Sequence, residues 1–166
     1  MAKILSIVAP EGYQDREYED SKKALEENGH TVLTASSVEE AKGKLGGKVK
    51  IDLLLKDAKA QDFDALAIIG GPGVYVYVEN QDLISLAKDF FSANKPTCAI
   101  CAAPLILAQA GLLEGKSATC WPGESETLKE KGAIYTGNPV EQDGLIITAN
   151  GPESARAFGQ KISENL

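Results

Sequence analysis

Short apolar runs punctuate this chain at residues 4–9, 31–35, 65–69, 97–100, 118–120 and 145–149, with longer mixed stretches between them. The runs are continuous rather than alternating, which is how strands covered on both faces read. The pattern therefore predicts a mostly parallel α/β sheet with helices on either side. The intervening stretches carry helical spacing. After Asn80, a capping residue, Leu83, Ile84, Leu86, Ala87, Phe90 and Phe91 follow it until Ser92-Ala93-Asn94-Lys95-Pro96 stops the helix. Pro152 after Gly151 opens a last helix with Ala155, Phe158 and Ile162 on one side. Residues 48–55 start by alternating polar and apolar positions, which predicts an edge hairpin or an antiparallel strand beside the main sheet. No repeat, low-complexity tract or linker divides the chain, so one domain over 1–166 is expected.

Composition narrows the function classes. The 166 residues suffice to close a core without staples, and a net charge of −7 disfavours a surface that tracks phosphates, so no nucleic-acid partner is expected. The apolar run after Lys3 is too brief for a secretory signal and no later run reaches membrane-spanning length. The expected address is the cytoplasm, with no membrane partner. Three cysteines cannot all pair internally, and in a reducing compartment the simplest reading is free thiols.

Two of those thiols, Cys98 and Cys101, stand in the C-x-x-C spacing of redox and metal sites. If residues 97–100 form a strand and 102–109 a helix, Cys98 points into the core, while Cys101 leaves the sheet at its carboxyl edge. The sulfurs then do not converge. The only histidine, His30, follows Gly29 at the opposite edge, so neither a dithiol nor a metal site is predicted. Cys101 instead occupies a sharp strand-to-helix turn where open α/β folds place ligands and where unpaired N–H groups favour a thiolate. The position alone leaves two readings open, a nucleophile or a small buried hydrophobe. Gly70-Gly71-Pro72-Gly73, directly after the third apolar run, favours the nucleophile. Glycines there allow close approach, so the Gly71 N–H, with that of Ala102, is a candidate oxyanion donor facing Cys101.

Taken together, Asn28-Gly29-His30, Ile68-Ile69-Gly70-Gly71-Pro72-Gly73, Ala99-Ile100-Cys101-Ala102-Ala103-Pro104 and Asp143-Gly144-Leu145-Ile146-Ile147-Thr148 resemble the DJ-1/PfpI superfamily over nearly the whole chain. That resemblance implies a flavodoxin-like three-layer sandwich, a nucleophile elbow at Cys101, a carboxylate partner from the first helix, no cofactor, and a homodimer or larger assembly. The carboxylate it points to is Glu17. Helical winding over 15–28 gathers Tyr18, Ser21, Ala24 and Leu25 on one stripe and sets Glu17 at its edge, where it can reach a site. A first-turn glutamate that merely favours the helix dipole is the competing reading.

The chain departs from parts of the family pattern. In the peptidase branch a histidine follows the nucleophile, and here Ala102 follows; another branch carries a histidine in the loop that here reads Thr119-Cys120-Trp121-Pro122. Peptide hydrolysis needs an acid for its amine leaving group, which makes a peptidase or amidase the least supported reading. Aldehyde chemistry asks for less, since a thiolate adds to a carbonyl without expelling anything. The leading expectation is a cysteine-dependent glyoxalase or deglycase acting on small α-oxoaldehydes or glycated thiols and amines, with Cys101 as nucleophile and Glu17 as proton shuttle. An oxidation-sensing stress protein or chaperone using Cys101 is the alternative. Cys120 reads either as a resolving thiol at the pocket or as a small residue ending a buried strand. Trp121 reads as a pocket wall or a subunit contact. The thiol of Cys101 is expected below its ordinary value and Glu17 above its own.

Overall fold

In the computed structural model, which describes residues 1–166, the strands are β1 (Lys3–Ile7), β2 (Glu11–Tyr13), β3 (Thr31–Ser36), β4 (Glu40–Gly43), β5 (Lys48–Lys50), β6 (Leu53–Leu54), β7 (Ala65–Ile68), β8 (Thr97–Ile100), β9 (Ser117–Ala118), β10 (Ile134–Tyr135), β11 (Val140–Asp143) and β12 (Ile146–Ala149). The helices are α1 (Asp15–Glu27), α2 (Gln81–Ser92), α3 (Pro104–Gln109), α4 (Ser125–Glu130) and α5 (Ala155–Ser163). Seven strands form the central sheet in the order β11-β12-β8-β7-β1-β3-β6, parallel except for β11. Helices α1 and α5 pack together on one side, and α2, α3 and α4 form the other group. This is the expected flavodoxin-like sandwich.

Burial explains why the central runs are continuous. Every residue of β7, β8 and β12 is buried, because both faces of these strands are roofed by helices and no position can afford to be polar without a partner. Forty-five buried residues make one contiguous apolar core across the sheet. At its densest point α5 meets α1: a Cβ on Gly159 would lie 2.7 Å from the Ser21 carbonyl oxygen and 2.9 Å from the Ala24 Cβ, so only glycine lets these helices approach so closely. The helix signals hold as well. The Asn80 side chain accepts from Leu83 N at 3.0 Å, and Gln14 caps α1 by accepting from Arg16 N at 3.0 Å.

Three expectations need correction. Residues 118–120 are not a strand of the central sheet: β9 covers Ser117–Ala118 and pairs only with β10. The backbone there crosses the sheet's carboxyl end, with Thr119 N donating to Thr148 Oγ1 at 2.9 Å and Trp121 N to Cys101 O at 2.7 Å. Residues 48–55 divide between two sheets. β5 is antiparallel to β4 in a small β2-β4-β5 sheet, whereas β6 is a parallel edge beside β3. The stretch after Cys101 begins as a tight turn, with α3 starting only at Pro104, whereas Pro152 does open the last helix, as a 3-10 turn over Pro152–Ser154 that runs into α5.

Candidate active site

Cys101 directly follows β8 with φ of 65°, a left-handed backbone shared by only one other non-glycine residue, Asn94. For a residue with a Cβ this conformation costs roughly 1–2 kcal/mol, so something must hold it there. Its N–H donates to Ala149 O at 2.9 Å and its carbonyl accepts from Trp121 N at 2.7 Å, which pins the peptide from both sides. The result is a sharp elbow. It lifts the sulfur out of the sheet toward the Ala102 and Gly71 N–H groups, both of which favour its charged form.

The Gly70-Gly71 turn at the end of β7 brings the second functional group to this elbow. Gly70 O accepts from Gln14 N at 2.9 Å, so the turn rests directly on the start of α1. Gly71, at φ of 109°, leaves no room for a side chain, since a Cβ would come within 2.4 Å of Gln14 N. Three residues along the helix, Glu17 is fully buried, and its Oε2 accepts from Gly70 N at 2.9 Å. Its Oε1 is buried without a hydrogen-bond partner. Gly70 is the floor shared by the pair. A Cβ there would lie 2.6 Å from Ile100 O, 2.7 Å from Cys101 Cβ and 2.8 Å from Glu17 Oε2.

Burial dominates the electrostatics. It pushes the Glu17 carboxyl up to about 7, against the neighbouring Cys101 thiol, the Gly70 N–H and the Lys44 charge, all of which pull it down. Burial likewise raises the Cys101 thiol, to about 12 with Glu17 ionised beside it, while the Ala102 and Gly71 N–H groups oppose the rise. The expectation for Glu17 therefore holds, and the expectation of an acidic thiol is corrected by desolvation, which the sequence does not record, and by a helix that starts only three residues past the sulfur. The two groups titrate as one unit that loses its first proton near neutrality.

The elbow opens into a cleft of about 330 Å³ lined by Glu17, Cys101, Trp121 and, among others, three polar residues that sequence reasoning missed: Gln14, Lys44 and Tyr75. The Tyr75 hydroxyl donates to Glu124 Oε1 at 2.6 Å, tying the turn after β7 to that after Trp121. Only the glycine-rich setting of Lys44, Gly43-Lys44-Leu45-Gly46-Gly47, could have flagged that residue in advance. Trp121 forms a wall and is 49% exposed. Cys120 is fully buried behind the wall and does not line the cleft. Its S–H donates to Trp121 O at 3.2 Å, and burial, then the charge of Glu124, pushes its thiol up to about 12. Cys98 lies in the core in register with Ala67 and Ile147. His30 stays at the other end of the sheet, accepting from Ala2 N at 3.1 Å and bonding Ser163 Oγ at 2.8 Å.

The protein named Deglycase PH1704 from Pyrococcus horikoshii is 32% identical over 99% of both chains. The protein MJ0967 from Methanocaldococcus jannaschii is 39% identical, covering 97% of this chain and 80% of its own. The crystal structure of a ThiJ/PfpI domain protein from Brachyspira murdochii superposes with a TM-score of 0.95 at 32% identity, over 98% of this chain and 94% of that one. With the DJ-1/PfpI family model matching residues 2–165, this chain belongs to the DJ-1/PfpI family.

Proposed function

We propose that this protein is a cysteine-dependent enzyme that converts α-oxoaldehydes, free or as thiol or amine adducts, to α-hydroxy acids without glutathione. The observation that carries the reading is Glu17, fully buried against the Cys101 elbow with one oxygen held by Gly70 and the other unpartnered. A carboxyl group kept from water and poised near 7 is suited to moving a proton in either direction at neutral pH. The deglycase name of an archaeal relative supports the same class of substrate.

For methylglyoxal, Cys101 Sγ passes its proton to Glu17 as it adds to the aldehyde carbon. The carbonyl electrons go to oxygen, which takes the proton from Glu17 and gives a hemithioacetal with the Gly71 and Ala102 N–H groups nearby. Glu17, now ionised, removes the hydrogen from that carbon to form an enediolate and returns the proton to the neighbouring carbon, while the hydroxyl proton passes from the first oxygen to the second. The product is a thioester of lactate on Cys101. Water attacks its carbonyl and gives one proton to Glu17, which hands it to the sulfur as the C–S bond breaks; lactate is released and its carboxyl proton goes to solvent. One water is consumed and no external redox partner is needed. The absence of an imidazole in the cleft removes nothing from this scheme, since His30 is held elsewhere by Ala2 and Ser163.

The test is methylglyoxal consumption with lactate formation, in glutathione-free buffer, by wild type, Cys101→Ser and Glu17→Gln. Each variant is expected to lose at least ~100-fold in kcat/KM, the scale of losing a nucleophile or a general base. Retained turnover in Cys101→Ser overturns the reading. The sensor alternative gains support if wild type shows no turnover but protects client proteins after mild peroxide treatment.

A further inference from the structure

The cleft receives one basic side chain, and the fold is built to deliver it. Lys44 stands in the glycine-rich loop between β4 and β5. The Asp15 carboxylate, nearly buried in the first turn of α1, closes on that loop: Oδ2 accepts from Leu45 N at 2.7 Å and Oδ1 from Gly47 N at 2.8 Å. Lys44 N itself donates to Tyr13 O at 2.8 Å. A Cβ on Gly43 or Gly47 would lie 2.0 or 2.4 Å from Asp15 Oδ1, so the loop can wrap the carboxylate only because both positions are glycine. Asp15 and Glu17 share the first turn of α1, and that turn therefore both supplies the acid of the cleft and anchors the loop that carries its cation.

Lys44 takes part in none of the chain's ion pairs, and no other cationic side chain lines the Cys101 cleft. An ammonium that lines a site without an ion-pair partner is available to a ligand anion. We propose that Lys44 forms a subsite for the carboxylate of α-hydroxycarboxylic acids and for the enediolate that precedes them, with Asp15 as the residue that positions it. The choice of ligand rests on the aldehyde chemistry proposed above. That route builds negative charge on the carbon chain beside Cys101 and Glu17, which already share one negative charge, and ends in a carboxylate at the same place. A cation facing the cleft offsets the charge as it develops and holds the product that bears it. The Lys44 charge is already felt at Glu17, whose titration it pulls downward.

The experiment follows alkylation of Cys101 by iodoacetamide, a neutral reagent, near pH 7 with increasing sodium lactate against matched sodium chloride. Peptide mass spectrometry separates Cys101 from the two buried cysteines. Lactate is expected to slow alkylation of wild type in a saturable way. Protection is lost in Lys44→Met and kept in Lys44→Arg. It is weakened in Asp15→Asn, whose single carbonyl oxygen cannot serve both loop N–H groups. No protection of wild type, or equal protection of wild type and Lys44→Met, overturns the proposal. Methylglyoxal turnover measured in parallel separates the two readings. Lys44-dependent protection in a protein without turnover leaves the subsite standing and removes the aldehyde chemistry, whereas turnover with protection indifferent to Lys44 does the reverse.

Discussion

Gly70 N donates to Glu17 Oε2 at 2.9 Å, and this one bond joins α1 to the end of β7 directly beneath the Cys101 elbow. It spans 53 residues of sequence and fixes which carboxylate of an acidic helix enters the site. Glu19, Glu26 and Glu27 on the same helix all remain in contact with water.

Gly70→Ala tests how closely that floor is fitted. The new Cβ would sit 2.6–2.8 Å from Ile100 O, Cys101 Cβ and Glu17 Oε2, and two of these are backbone-fixed neighbours that cannot swing away. Overpacking of this kind costs about 1–3 kcal/mol in chemical denaturation. Turnover should fall further than stability does, by ~100-fold, because a displacement of about 1 Å between reacting groups is enough for that loss. Full activity in Gly70→Ala would show that Glu17 and Cys101 do not depend on their shared floor.

Glu17 also makes the protein's stability depend on pH in an identifiable window. Its carboxyl rises from 4.5 to about 7 on folding, so the folded state binds the proton more tightly than the unfolded state. The associated stability is full below pH ~4.5 and is lost as pH rises through about 7, on the order of 3 kcal/mol in all. Urea denaturation of wild type and Glu17→Gln at pH 5 and pH 8 reads this directly. The variant should gain on wild type as the pH is raised, and a difference between the two that stays constant with pH would contradict the burial argument.

Thiolate absorbance near 240 nm reports where the shared charge resides. Burial raises the thiol and the first proton leaves the pair from Glu17 near 7, so wild type is expected to show no thiolate step near 7 and to develop absorbance only at strongly alkaline pH. Glu17→Gln removes the neighbouring charge and should bring the step to lower pH, and Cys101→Ser should remove the share of it that belongs to Cys101. A thiolate midpoint near 7 in wild type would place the charge on sulfur instead.

What could be read along the chain and what could not divide on a physical line. Burial leaves a local record, because a strand roofed on both faces must be apolar at every position, and residues 65–68, 97–100 and 146–149 announced themselves that way. The turn at Cys101 was equally legible, since a strand-length run followed directly by a helical stretch sets Cys101 between them, and the family resemblance implies an elbow there. Residues 118–120 have the same apolar character without being in the sheet, because crossing the mouth of the sheet buries a segment as thoroughly as running along it. Chemistry was harder to read. The sequence by itself, through composition, spacing and family resemblance, determined the α/β class, the position of the elbow and the pairing of Cys101 with a carboxylate from the first helix. Tertiary structure alone decided that Gly70 holds that carboxylate, that the Asp15-clamped loop sets Lys44 in the cleft, that Cys120 stays behind its wall, and that burial rather than the helix terminus governs the thiol. Those outcomes depend on what distant segments pack against a group, since desolvation and partner geometry are properties of its whole surroundings and leave no periodic trace in the chain.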